Sequence, residues 1–387
     1  MGRLSTSSLN LAEFNRTGGT VQVAGEFDNT GETLTLNNST GSWEILAGNI
    51  TGGTIAFADG QTLSATSNAH NRLTDVTVSG DVLMDQHNSQ LEIYGSTTFD
   101  TLRLSGASSD VRFEAGSTVG GNVTFSGANG GTGGRTLTVD GDGTLTIPAG
   151  VTIETAAGLD RQATVGGSGE TLINEGTIRS AIPGANSALF VSAETFTNNG
   201  ILDAANGTLR VDSATNISGN TLNGGEWSVS GSGVLRLPTG TDITNNNASI
   251  TLDGTAAEIL SGPSESTNAL ASFSSIDTAG GLTLTGGHDF VTDSNSFLNS
   301  GQITIGAGSS LTTSATSMSF VSGLTAQTTV DGNLDLSGGN LAIDSGTLTG
   351  SGTVSVGTLS AGLPAGFGGT VGIISPGSSS GILNVNG

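Results

Sequence analysis

The densest group of side chains able to do chemistry lies between His70 and Glu114. It comprises His70, Arg72, Asp75, Asp81, Asp85, His87, Glu92, Asp100, Arg103, Asp110, Arg112 and Glu114, with Tyr94 as the one tyrosine of the chain. Paired carboxylates supply general acid and base, and polysaccharide-cleaving grooves combine them with Arg and Tyr. Asp81, Asp85, Tyr94, Arg103 and Arg112 are therefore the expected lining of a groove that binds or degrades a glycan. The spacing itself singles out no catalytic pair. Acids and arginines on exposed strand faces also form cross-strand charge pairs of small energy, and the pattern favours that reading.

Other motifs carry less. Gly377-Ser-Ser379-Ser-Gly381 fits a nucleophile elbow, but an elbow needs a later His and the last one is His288. Asp140-Gly-Asp142-Gly begins like a calcium loop but has Leu145 and Val151 where the central Gly and the bidentate Glu belong. It reads as a turn between two strands. Gly130-Gly-Thr-Gly133-Gly-Arg135 has Arg where a calcium-binding turn needs Asp. No cofactor is expected, and calcium is at most a weak prospect. Trp43 and Trp227 follow Gly-rich turns and are expected inside the core rather than as platforms for sugars.

Composition removes whole classes of function. The net charge is −23, and all ten basic residues are Arg. Such a surface repels nucleic acid. The absence of Lys excludes a P-loop and a Schiff base, and the absence of Cys excludes disulfides and thiolate chemistry. No apolar run is long enough for a signal peptide or a membrane span. The sequence is expected to be a segment of a longer protein.

These residues must be positioned by short alternating segments. Leu102-Arg-Leu104, Val123-Thr-Phe125, Leu145-Thr-Ile147, Leu209-Arg-Val211, Ile250-Thr-Leu252 and Ile303-Thr-Ile305 are examples, with Thr commonly at the outward position. Period-two alternation predicts half-buried strands, and helix periodicity is missing. A motif also recurs: Phe27-Asp-Asn29-Thr-Gly31, Leu172-Ile-Asn174-Glu-Gly176, Phe196-Thr-Asn198-Asn-Gly200 and Phe297-Leu-Asn299-Ser-Gly301. Recurrence every ~21 residues, with about three strands in each interval, predicts an all-β, right-handed parallel β-helix of on the order of 18 coils. In each copy the Phe or Leu should point inward and the Asn should sit at a coil corner, able to bond from coil to coil. The Gly should take a positive-φ turn.

Interruptions at 155–169, 181–187, 261–272 and 361–370 are expected to be loops that leave the coil, with Pro183, Pro263 and Pro364 inside them. No composition shift divides the chain, so one elongated domain, 1–387, is expected.

Three stretches resemble known surface proteins. Gly41-Ser-Trp43-Glu-Ile-Leu-Ala-Gly48-Asn-Ile-Thr-Gly52-Gly53-Thr-Ile55 and Asp242–Gly254 are similar to the β-strand repeats of large bacterial exoproteins of the filamentous-haemagglutinin type. Ser345–Val354 followed by Ile374–Val385 resembles the passenger-associated repeat of autotransporters, with Ser380 where that repeat has a second Pro. The resemblance implies a β-helix exported to the surface of a Gram-negative bacterium. It is unspecific for activity.

The expected function is accordingly structural and adhesive rather than enzymatic, with a glycan or a host or matrix surface as partner. A carbohydrate-binding or polysaccharide-degrading β-helix is the alternative. Neither Met1–Asn10 nor Ile382–Gly387 reads as a polar cap, so end-to-end homopolymerisation is also expected. Nucleic-acid binding and membrane insertion are not.

Overall fold

A computed structural model describes residues 3–5, 18–128, 133–184, 187–263, 266–323, 325–361, 372–376 and 384–386. Every named element among them is a β-strand. The chain is a β-solenoid of stacked parallel coils, about 15 turns with about three strands per turn. It divides into two compact units, Met1–Thr197 and Asn198–Gly387.

In the first unit one sheet stacks Glu26–Asp28, Asn49–Thr51, Arg72–Thr74, Gln90–Tyr94, Asp110–Phe113, Arg135–Val139, Ala163–Val165 and Leu189–Val191, all parallel. A second sheet stacks Val21–Val23, Trp43–Ile45, Leu63–Ala65, Val82–Met84, Thr101–Leu104, Asn122–Phe125, Thr152–Thr155 and Thr177–Arg179. The third side is shorter. Thr33–Leu36, Thr54–Phe57 and Thr77–Ser79 pair there, as do Gly143–Ile147 and Glu170–Asn174.

Register makes the core. Phe27, Ile50, Leu73, Ile93, Phe113 and Val139 are successive partners in the first sheet, and all are buried. Each such side chain contributes on the order of 1.5–3 kcal/mol by leaving water, and each layer rests on the next. Between them point outward residues such as Thr74, Glu92, Arg112 and Thr138. The tryptophans are core residues: Trp43 and Trp227 are buried, with indole N–H groups donating to Thr40 O and Gly224 O.

The second unit has the same plan. One side stacks Ile201–Ala205, Thr221–Ser230, Asn245–Asp253, Gly281–Thr285, Gln302–Ile305, Gln327–Val330, Thr347–Gly350 and Ile373–Pro376. Another carries Ser275–Ile276, Ser296–Asn299, Ser319–Ser322, Asn340–Ile343 and Thr358–Ala361. The third is interrupted. Thr208–Val211, Val234–Leu237 and Glu258–Ser261 form one run, and Asp289–Thr292, Ser310–Thr313, Asn333–Asp335, Thr353–Ser355 and Asn384–Asn386 form another.

The recurring motif does most of what its residue types suggest. Phe27, Leu172, Phe196 and Phe297 are buried, as are Asn29, Asn174, Asn198 and Asn299. The Asn amide reaches forward: Asn29 Nδ2 donates to Thr54 O at 3.0 Å, Asn198 to Glu226 O at 3.1 Å and Asn299 to Gln327 O at 3.3 Å. Asn71 and Asn246 do the same to Gln90 O and Gly281 O without belonging to a motif copy. The glycine expectation needs correction. Of Gly31, Gly176, Gly200 and Gly301, only Gly31 has positive φ, at 77°. At Gly176 and Gly301 the reason for Gly is space, because a Cβ would lie 2.4 Å from Val151 O and 2.2 Å from Gly280 O.

Two further expectations change. The step between coils is 20 residues where Gln90 pairs with Asp110, but 28 where Arg135 pairs with Ala163. This spread is why the turns number about 15 rather than the ~18 that a uniform repeat gives. The expected loop 155–169 also contains a strand, Ala163–Val165, in register with Leu137 and Val191. The elbow-like Gly377–Gly381 lies outside the described residues, as do 362–370 and, of the ends read for caps, residues 1–2, 6–10, 382–383 and 387; Arg3–Ser5 and Asn384–Asn386 are strands paired into the stack.

Candidate functional site

The expected groove residues divide between two sheets of the first unit. Tyr94 and Arg112 stand on Gln90–Tyr94 and Asp110–Phe113 of the first sheet. Asp81 and Asp85 flank Val82–Met84 in the second sheet, where Arg103 occupies the next strand. A single coil turns a corner between residues 84 and 90, so closeness in sequence does not put these groups on one face.

Each half is internally paired. Arg103 Nε donates to Asp81 Oδ2 at 2.6 Å, and Arg112 Nε lies 2.8 Å from Asp110 Oδ2 in an ion pair. Arg72 Nε, on the preceding coil, donates to Glu92 Oε2 at 2.9 Å. The Arg72 guanidinium also lies 4.3 Å from the centre of the Tyr94 ring, and the Tyr94 hydroxyl donates to Asp140. One face of the ring and its polar tip are thus already engaged. Asp85 forms no described bond to the other four. Among the described residues no three His, Asp or Glu side chains converge on a possible metal position, and Asp140 is instead the partner of Tyr94.

The bond to Asp140, with burial adding to it, pushes the Tyr94 phenol up to about 12 from its ordinary 10.0. The protonated phenol is the form the fold favours. Its contribution is fully present below pH 10 and disappears as pH rises through about 12. Because Tyr94 is the only tyrosine, an ultraviolet pH titration reads it alone. The folded protein should ionise well above the urea-unfolded chain, and Asp140→Ala should close most of that interval. Coincident folded and unfolded curves would remove the bond.

Among the described residues of this unit Glu170 is the buried acid, 7% exposed, with Oε2 lacking a partner. Burial drives its carboxyl above the ordinary 4.5, and the neighbouring Asp110 and Asp142 add to the rise. Backbone hydrogen bonds from Val139 and Gly167 oppose it. A raised folded pKa means stability that is complete below the unfolded value and lost as pH climbs through the folded one. Glu170→Gln should therefore exceed the parent in urea midpoint at neutral pH, with the difference shrinking as pH falls towards 4.5. Parallel midpoint curves over that range would refute the assignment.

The second unit holds a cleft that motif reading missed. A cavity of about 280 Å³ opens where the third side is interrupted. Glu258, Ile259 and Leu260 line one wall with Asn268 and Leu270, and His288, Asp289, Phe290 and Val291 line the other. A hairpin makes it. After Glu258–Ser261 the chain folds back, so that Thr267–Asn268 pairs antiparallel with Leu260 and Ser261 and takes the slot a next-coil strand would fill. The composition of 261–272 signals a departure from the coil, but not that the departure separates neighbouring strands into facing edges.

The molecule belongs to the class of parallel β-solenoid repeat proteins. No family model, no curated protein and no solved structure matches the chain.

Proposed function

We propose that this chain is an extracellular structural and adhesive solenoid of a Gram-negative cell surface. The observation that carries the reading is how the outward charges are used. Arg72 with Glu92 and Arg103 with Asp81 are ion pairs between neighbouring coils, and Arg112 with Asp110 and Arg210 with Asp212 are ion pairs along a single coil. Carboxylates held this way brace exposed strands and are poorly placed to act as free acid and base. Thr, Ser and Asn fill most of the remaining outward positions. The likeness of Gly41–Ile55 and Asp242–Gly254 to exoprotein repeats supports the surface location.

Display on a non-adherent bacterial strain tests the proposal. Displaying cells should be retained on matrix- or glycan-coated surfaces above a strain displaying an unrelated domain. The purified protein should leave acidic polysaccharides at full viscosity. Unchanged retention with verified display would overturn the adhesive role. Depolymerisation abolished by Asp81→Ala or Arg112→Ala would replace it with the carbohydrate-degrading alternative.

A further inference from the structure

We infer that the cleft of the second unit is a docking slot for one extended segment of another polypeptide, added as a β-strand and carrying alternating apolar and basic side chains. Both walls are sheet edges. Thr267–Asn268 ends one sheet, and Asp289–Thr292 begins the other. The direction of the edge groups follows from the ladder. Ser310 N donates to His288 O and Ser314 N to Thr292 O, so the even-numbered residues of this strand face Ser310–Thr313. Asp289 and Val291 therefore turn their N–H and C=O towards the cleft, where Asp293 N reaches Ala271 O. Among the described residues no backbone group bonds Asp289 or Val291 on that side.

What fits such a slot is set by its chemistry. The cleft-facing backbone donors and acceptors of Asp289 and Val291 are satisfied by another extended backbone and by little else. Val291 is 42% exposed, one of the few large apolar side chains on the described surface. An added strand would cover it with an apolar residue of its own. The carboxylates of Glu258 and Asp289 stand on the two walls and call for a basic side chain between them. The same charge disfavours a second copy of this chain, whose net charge is −23.

The test uses a fluorescein-labelled synthetic hexapeptide of alternating Val and Arg, with fluorescence anisotropy on the full chain. Saturable binding is expected. It should be lost when the peptide amides are N-methylated throughout, because the added strand then has no donors. Val291→Pro removes only a cleft-facing N–H from an edge strand, where Pro is tolerated, and should weaken binding roughly tenfold. Glu258→Gln should weaken the Arg peptide but not a Val/Gln analogue. Absence of saturable binding, or equal binding of the N-methylated peptide, would overturn strand addition. Concentration-dependent self-association that the peptide displaces would overturn the choice of a foreign strand.

Discussion

Replacing Phe297 by Ala should lower the unfolding free energy by about 3–5 kcal/mol, read as a shift in urea midpoint at unchanged slope. Phe297 is 1% exposed, and its ring lies 5.6 Å from Phe273 edge-on and 5.3 Å from Phe320 in a parallel stack. Phe290 extends the cluster, 5.9 Å from Phe273. Truncation removes the central ring of three coil layers, and rings held by backbone ladders on both sides have little freedom to collapse into the void. Because a coil touches only its neighbours, the damage should also be local. Hydrogen exchange should accelerate in Ser275–Ile276, Ser296–Asn299 and Ser319–Ser322 more than in Thr208–Val211. A loss below about 1 kcal/mol, or exchange accelerated evenly through the unit, would contradict this account.

The other large effect is expected at Arg135, a charged side chain buried completely inside the first unit. It begins Arg135–Val139 and points inward like Leu137 and Val139. Its Nη2 donates to Gly127 O at 2.6 Å and Ser105 O at 3.2 Å, and Nη1 lies 3.5 Å from Asp160 Oδ1. Burial pulls the guanidinium below its ordinary value, and Asp160 opposes that fall. Arg135→Ala leaves two carbonyls without their donor and opens a cavity, a loss of about 3–5 kcal/mol. Arg135→Met keeps much of the volume and should recover some of it. If Met and Ala cost the same, the bonds to Gly127 and Ser105 set the stability. If Met restores the parent value, the volume sets it, and the bonds to Gly127 and Ser105 contribute nothing net.

Much of this architecture is legible in the residues. Alternation in Leu102-Arg-Leu104 or Ile303-Thr-Ile305 reports a half-buried strand directly, because period two is the geometry of the pleat. Phe297 and Asn299 disclose inward and corner positions because few other environments want an apolar ring two residues before a buried amide. The glycines are harder to read. An Asn-x-Gly triplet suggests positive φ, yet at Gly176 and Gly301 the constraint is a backbone carbonyl of the preceding coil, which no local pattern reveals. Ala163–Val165 is hidden because Ala and Thr give weak alternation. The acidic stretch misleads for a geometric reason: Asp81 and Tyr94 fall on opposite sides of a corner, and sequence distance carries no sign of the bend. The cleft depends on Thr267–Asn268 turning back on Leu260, a pairing of non-repeating residues that repeat spacing says nothing about.

The forward reach of the corner amides gives the stack a polarity along the chain. Asn29, Asn71, Asn198, Asn246 and Asn299 each donate to a carbonyl of the coil that follows in sequence. A coil at the leading end leaves that donor to water, and the next coil exchanges the hydrated amide for a coil-to-coil hydrogen bond, a net gain of about 0.5–1.5 kcal/mol. Each coil satisfies its predecessor's amide and presents its own, so a terminal coil on the C-terminal side is bonded through these amides on one side only.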